Sequence, residues 1–196
     1  MVRFGLPIGL VCLWISILGV LNGAGNTAAA DSEFTERFRS TMWRMDLTAA
    51  MGYDSGSHTR QGDYYVTGSV EFGWAVLSRG VLGVRLYPLF LYYEEADSKG
   101  NSHWIYGAGA GVVGRAYLRK DVRQGWFGEL GIAPIWHSRY IERNSSRVNF
   151  LSEIGVGYQF RNDWHMTLKW EHLSNANLKR LNSGVNSIAL GVGYTF

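Results

Sequence analysis

The chain has 196 residues, 25 glycines, three prolines, one cysteine, 14% aromatic residues and a formal charge of +3. A single cysteine excludes an internal disulfide framework, and no block of basic residues offers a footing for nucleic acid. The length after any export signal suits one domain.

Met1 to Ala30 has the pattern of a cleaved secretory signal. Arg3 supplies the basic start, Leu6 to Val20 the apolar core, and Ala28-Ala29-Ala30 the small residues before Asp31. The apolar run is short of the roughly 20 residues a spanning helix needs. Cys12 lies inside this segment behind Val11, which does not fit a lipoprotein-type processing site. Residues 31–196 then carry no cysteine, so thiol catalysis is excluded. No later run is long and apolar enough to read as a helical span.

Residues 31–41 are polar and read as a periplasmic lead-in. From there the chain alternates with a period of two, which places one set of side chains on each face of a strand. Met42 to Tyr53 sets Trp43, Met45, Leu47, Ala49 and Met51 against Arg44, Asp46 and Thr48. Asp54 to Gln61 is a polar loop. Gly62 to Leu77 sets Tyr64, Val66, Val70, Phe72, Trp74 and Val76 against Glu71. Ser78-Arg79-Gly80 is a tight turn. Val81 to Tyr93 sets Leu82, Val84, Leu86, Phe90 and Tyr92 against Arg85 and Tyr87, with a bulge or local break expected at Pro88. Glu94 to Ser102 is a charged loop.

His103 to Arg119 sets Trp104, Tyr106, Ala108, Val112 and Leu118 against His103 and Arg115. Lys120 to Gln124 is a short turn. Gly125 to Ser138 sets Trp126, Leu130, Ile132 and Trp136 against Glu129 and His137, and Arg139 to Ser146 is a polar loop. Arg147 to Phe160 sets Val148, Phe150, Ile154, Val156, Tyr158 and Phe160 against Asn149, Glu153 and Gln159. Arg161-Asn162-Asp163 is a tight turn before the closing pair.

This gives eight strands, with short turns after the even ones and longer loops after the odd ones. An even number of antiparallel strands can close without an edge, as a bilayer requires. The expected fold is all-β, an eight-stranded antiparallel transmembrane β-barrel over residues 42–196. It is placed in the bacterial outer membrane with its aromatic-rich phase toward lipid. A soluble barrel of this size would turn that phase inward and the charges outward; the export signal and terminal Phe196 favour the membrane version. Asp46, Glu71, Arg85, Arg115, Glu129, Glu153, Lys169 and Glu171 all fall in the opposite phase, so a paired polar network is expected to fill the lumen.

The last hairpin carries the chemistry. Trp164, Met166, Leu168 and Trp170 run on one face, and that phase continues into His172 and Ser174. The final strand continues it through Ile188, Leu190, Val192, Tyr194 and Phe196, beginning at Asn186. A hydroxyl and an imidazole two residues apart share a face, the pairing of nucleophile and general base in acyl transfer. Asn186 is positioned to accept from the imidazole and fix its tautomer, and Asn175 to donate to an oxyanion. Such residues at a loop mouth are also ordinary interface residues, and spacing alone does not separate the two readings.

His172-Leu173-Ser174-Asn175-Ala176, with Asn182-Ser183-Gly184 and Asn186 following, resembles the signature of PagL-type lipid A 3-O-deacylases, outer-membrane eight-stranded barrels. The resemblance implies hydrolysis of the ester-linked 3-hydroxyacyl chain at position 3 of lipid A. It implies Ser174 as nucleophile, His172 as base and Asn175 at the oxyanion. The family's acidic third member falls by spacing on Asn186, a departure. Glu171 belongs to the opposite face and is a poor substitute.

Lys179 and Arg180 are read as solvated loop charges or contacts to lipid A phosphates. His58, His103, His137 and His165 show no metal-ligand spacing, and neither metal nor other cofactor is expected. The expected partners are the lipopolysaccharide substrate and outer-membrane lipids, without nucleic acid; a homodimer is compatible. Two other functions fit a small outer-membrane barrel, a non-enzymatic structural or adhesive role and lipid acyl transfer. Loss of one acyl chain from lipid A would separate the esterase from both.

Overall fold

The computed structural model describes residues 41–53, 60–95, 100–119 and 124–196. The expected signal segment, nearly all of the lead-in and His58 lie outside the described residues. The strands are β1 (Thr41–Tyr53), β2 (Tyr64–Leu77), β3 (Gly80–Glu94), β4 (His103–Tyr117), β5 (Gly125–His137), β6 (Val148–Gln159), β7 (Trp164–Ser174) and β8 (Val185–Thr195). Each pairs antiparallel with the next, and β1 pairs with β8 from Arg44↔Thr195 to Tyr53↔Asn186, so the sheet closes on itself. Thr41, assigned above to the lead-in, is the first residue of β1.

The alternation predicted from sequence is the alternation observed. Trp43, Leu47, Leu82, Trp126, Val156, Leu168 and Leu190 stand on an exposed outer wall, while the residues on either side of each are buried, or half-buried at Gly155. An exposed apolar wall of this extent is what a lipid-facing barrel presents.

The lumen is layered. At its middle Glu71 lies between Arg85 (2.7 Å) and Arg115 (2.9 Å). Glu129 receives Arg115 (2.7 Å), Arg85 (3.0 Å) and Lys169 (3.2 Å), and Lys169 also holds Glu153 at 3.0 Å. Arg44 and His165 share Asp46. Charges this deep survive because each meets several opposite partners; a lone one would cost several kcal/mol. Toward the turn end Met42, Val81, Tyr117 and Phe127 close the lumen. Toward the loop end it is filled by an apolar and aromatic cluster including Tyr65, Phe90, Tyr92, Ile135 and Leu173.

Phe90 and Tyr92 correct the sequence reading, which placed them toward lipid. Both are fully buried in the lumen. The pairing of β3 slips between Tyr87 and Phe90 on the β4 side and opposite Gly68–Val70 on the β2 side, a bulge at Pro88. Pro88 has no N–H for the ladder, and one extra residue inverts every side chain beyond it. Leu89, Leu91 and Tyr93 therefore take over the outer face.

Candidate active site

No bulge interrupts β7 or β8, so the outward phase of the closing hairpin is unbroken. Trp164, Met166, Leu168 and Trp170 are exposed on the outer wall, and His172 follows them, half-buried. His172 and Asn186 are directly opposed across β7 and β8. Asn186 in turn pairs with Tyr53 of β1, and His172 with Ser152 of β6. One row across four strands thus reads Tyr53, Asn186, His172, Ser152.

The imidazole is held on three sides. Its Nδ1 donates to Asn186 Oδ1 at 2.7 Å, which leaves Nε2 as the lone-pair nitrogen. The Trp170 indole stacks on it, with centroids 6.0 Å apart and planes 13° from parallel. The Trp170 Nε1–H donates to Tyr53 Oη at 2.7 Å. The third side is Gly184. A Cβ on Gly184 would stand 2.7 Å from His172 Cε1 and 3.4 Å from Nε2, so the missing side chain is the space the ring occupies.

Ser174 is the last residue of β7 and lies opposite Phe150 of β6, one row beyond His172 toward the loops. Continuing the β7–β8 register one step past Leu173↔Val185 brings Ser174 opposite Gly184. Strand parity thus puts Ser174 on the face of His172, beside the bare Gly184, where it is buried at the loop mouth. No hydrogen bond joins Ser174 to His172 among the described residues; catalytic hydrogen bonds are commonly long in the free enzyme and tighten with substrate.

Immediately after the serine the chain leaves the sheet. Ala176 and Asn177 both take left-handed backbone conformations (φ 53° and 63°). The turn is fixed by amides. The Asn175 N–H donates to Asn182 Oδ1 (2.8 Å), and Asn182 Nδ2 to Asn177 Oδ1 (3.0 Å). The Asn175 side chain is fully buried, and its Nδ2 bridges Asn144 Oδ1 (3.0 Å) and the Leu181 carbonyl (2.8 Å). Asn144 is itself anchored on Asn149 (2.7 Å). The β5–β6 loop braces the last loop further through Ser145 N–H to Leu181 O (3.0 Å) and Ser183 N–H to Arg143 O (3.0 Å). Arg60, entering from the loop before β2, donates to Ser183 Oγ (3.0 Å) and Glu142 O (2.7 Å).

The residues singled out from sequence are thus distributed as follows. His172 and Asn186 are brought together, and Ser174 joins them on the same face. Asn175 is adjacent, with both amide hydrogens engaged in the turn. Lys179 and Arg180 sit on the exposed tip of the last loop beside exposed Leu178 and Leu181. Glu171 points into the lumen, where Tyr65 Oη donates to it at 2.5 Å, so it is not a partner of His172. Sequence reasoning missed Trp170 as part of the site, although it sits two residues before His172 in the same phase, and gave Gly184 no role beyond its place in the motif. It also missed Asn144 and Arg60, which come from distant loops, and Asn149 at the start of β6; none carries a local signal.

Below this row the outer wall holds a groove of about 500 Å³, lined by Gly128, Ile154, Val156, Leu168, Trp170 and Ile188. It is almost wholly apolar and starts one row from His172.

The family model of lipid A 3-O-deacylase (PagL) matches residues 33–195. The chain belongs to that family, whose members are outer-membrane lipid A 3-O-deacylases, hydrolases of the carboxylic ester class. The crystal structure of the outer membrane enzyme PagL is similar over 76% of this chain and 98% of that one, with 25% identity and a TM-score of 0.56. Designed transmembrane β-barrels are similar at 9% identity, covering 79% of this chain and 95% of theirs (TM-score 0.49). The outer membrane protein OprG from Pseudomonas aeruginosa is similar at 11% identity, covering 80% and 95% (TM-score 0.45). No curated protein matches the chain in sequence.

Proposed function

We propose that this deacylase is a serine esterase that cleaves the ester-linked 3-hydroxyacyl chain at position 3 of lipid A, with Ser174 as nucleophile and His172 as general base. The observation that carries the reading is the orientation of the imidazole: Nδ1 is tied to Asn186 at 2.7 Å, and Nε2 is turned to the bare Gly184 side that Ser174 shares. His172 and Asn186 stand half-buried on the outer wall, and Ser174 lies beside them at the loop mouth, 8% exposed, within reach of a lipid ester that stays in the leaflet. The loop end of the barrel is assigned to the outer surface, with residues 1–30 as the cleaved signal.

In the first half-reaction the Ser174 oxygen bonds to the ester carbonyl carbon while its proton passes to His172 Nε2. The tetrahedral intermediate collapses, the bond to the sugar oxygen breaks, and that oxygen takes the proton from Nε2. Water then attacks the acyl-serine with His172 again as base, releasing a 3-hydroxy fatty acid and restoring the serine. Asn186 keeps the reactive tautomer in both halves. Asn175 contributes to the oxyanion site by holding the turn at 175–177, since both hydrogens of its amide are engaged. The acyl chain lies along the apolar groove below the row. Lys179 and Arg180, at the loop tip, meet the phosphates of the headgroup.

Mass spectra of lipid A from cells with and without the protein test this directly. Expression removes one 3-hydroxyacyl chain; Ser174→Ala and His172→Ala each abolish the change while the barrel keeps its heat-modifiable gel mobility. Full activity in either variant refutes the serine mechanism. Joint Lys179→Ala and Arg180→Ala substitution weakens turnover of phosphorylated lipid A more than of its dephosphorylated form; equal effects remove the phosphate role.

A further inference from the structure

Acyl transfer at this site puts a positive charge on His172 in each transition state. The motif that the chain resembles supplies a carboxylate to balance it. Asn186 orients the ring and carries no charge. The outward neighbours of the ring are Asn186 and Gly184 on the β8 side, Ser152 from β6, Tyr53 from β1 and Trp170 on its own strand. The carboxylates of Glu153 and Glu171 face the lumen. Among the described residues, no carboxylate shares the outer face of β1, β6, β7 or β8.

One group there does answer a cation. The Trp170 ring lies nearly parallel to the imidazole, with centroids 6.0 Å apart. An indole presents the negative side of its quadrupole to a cation within about 6 Å of its centroid. The indole is also locked in place, because its Nε1–H is bonded to Tyr53 Oη, and Tyr53 is the β1 partner of Asn186. The same row of strands that fixes the imidazole therefore fixes the aromatic face beside it.

We propose that Trp170 is a positioning residue for the deacylation, its indole face stabilising the His172 imidazolium in place of the charge that Asn186 lacks. The inference rests on His172 being the base. It predicts that the full-length enzyme in detergent loses about three- to tenfold in kcat on Trp170→Leu. It also predicts that the acid limb of the pH–rate profile moves to lower pH, because a less stabilised imidazolium gives up its proton more readily. Trp170→Phe retains an aromatic face and falls between the two. In an Asn186→Asp background, where a carboxylate again balances the ring, the Trp170→Leu loss shrinks to about twofold or less.

A rise in KM alone with the acid limb unmoved would make Trp170 only a wall of the groove and overturn the proposal. So would an equal loss in both Asn186 backgrounds. Should Trp170→Leu fail to assemble, Trp170→Phe measured in the two backgrounds carries the same comparison. Ser174→Ala separates the two levels: retained activity there refutes the esterase reading, whereas a dead Ser174→Ala beside an unaffected Trp170→Leu refutes only the role of the tryptophan.

Discussion

The carboxamide oxygen of Asn186 stands 2.7 Å from Nδ1 of His172, across a directly opposed pair of the last two strands. The contact fixes which ring nitrogen carries the proton, and it does so without charge. Replacing the amide by the isosteric carboxylate keeps the acceptor and adds the charge. Asn186→Asp is expected to raise kcat by about tenfold, the gain of a charge-assisted over a neutral hydrogen bond. Asn186→Leu removes the acceptor and is expected to lower kcat by about a hundredfold or more, because the ring loses its tautomer. Release of 3-hydroxy fatty acid measures both. A dead Asn186→Asp would mean that the amide N–H makes a contact the reaction needs.

Gly184 is a second point of control. The atom its missing Cβ would meet is His172 Cε1, at the far end of a side chain that can swing away. Gly184→Ala therefore pushes the imidazole out of line rather than breaking the sheet. Activity is expected to fall at least about a hundredfold, since displacement of about 1 Å at a reacting group has that effect. Urea unfolding should shift little. A variant as active as the parent would show that Gly184 does not shape the site.

These residues show where sequence and structure part. A strand with period two states its faces openly, and one uninterrupted hairpin carries His172, Ser174 and Asn186, so their common face was legible from parity alone. Parity fails where Pro88 breaks the ladder: a count carried through it puts Phe90 and Tyr92 on the outer face, and the structure puts them in the lumen. A bulge costs one residue of register and only the paired strand reveals it. The lumenal charges were legible as a set, but which carboxylate meets which arginine depends on barrel closure. Asn144 reaching Asn175 across 31 positions is of the same kind. No local pattern encodes it.

The lumenal network makes a stability prediction independent of catalysis. Glu71 is fully buried between Arg85 and Arg115. Glu71→Gln leaves those guanidinium groups sharing the remaining carboxylates, and loss of one partner from a buried ion pair costs about 3–5 kcal/mol. The urea midpoint in lipid vesicles should drop accordingly. Deacylase activity of the folded fraction should be unchanged, because the site lies on the opposite side of the wall. An unmoved midpoint would mean that Glu129 and Glu153 together satisfy both arginines.

The groove below the site sets the last expectation, which concerns chain length. Gly128, Val156 and Leu168 form one row across β5, β6 and β7, four residues along the strands from the His172 row. At roughly 3.3 Å per residue that is about 13 Å from the imidazole. A Cβ on Gly128 would meet only the Gly155 carbonyl, at 3.9 Å, so a larger side chain points into the groove without disturbing the backbone. Gly128→Leu therefore fills the far end of the channel and leaves the catalytic row alone. A long 3-hydroxyacyl chain then loses its van der Waals packing against the far end of the groove, and its kcat/KM falls. A chain too short to reach Gly128 loses nothing. Measured on lipid A species or model esters of graded acyl length, the variant should show a step in activity at one chain length. A uniform loss at every length would place the acyl chain elsewhere on the wall.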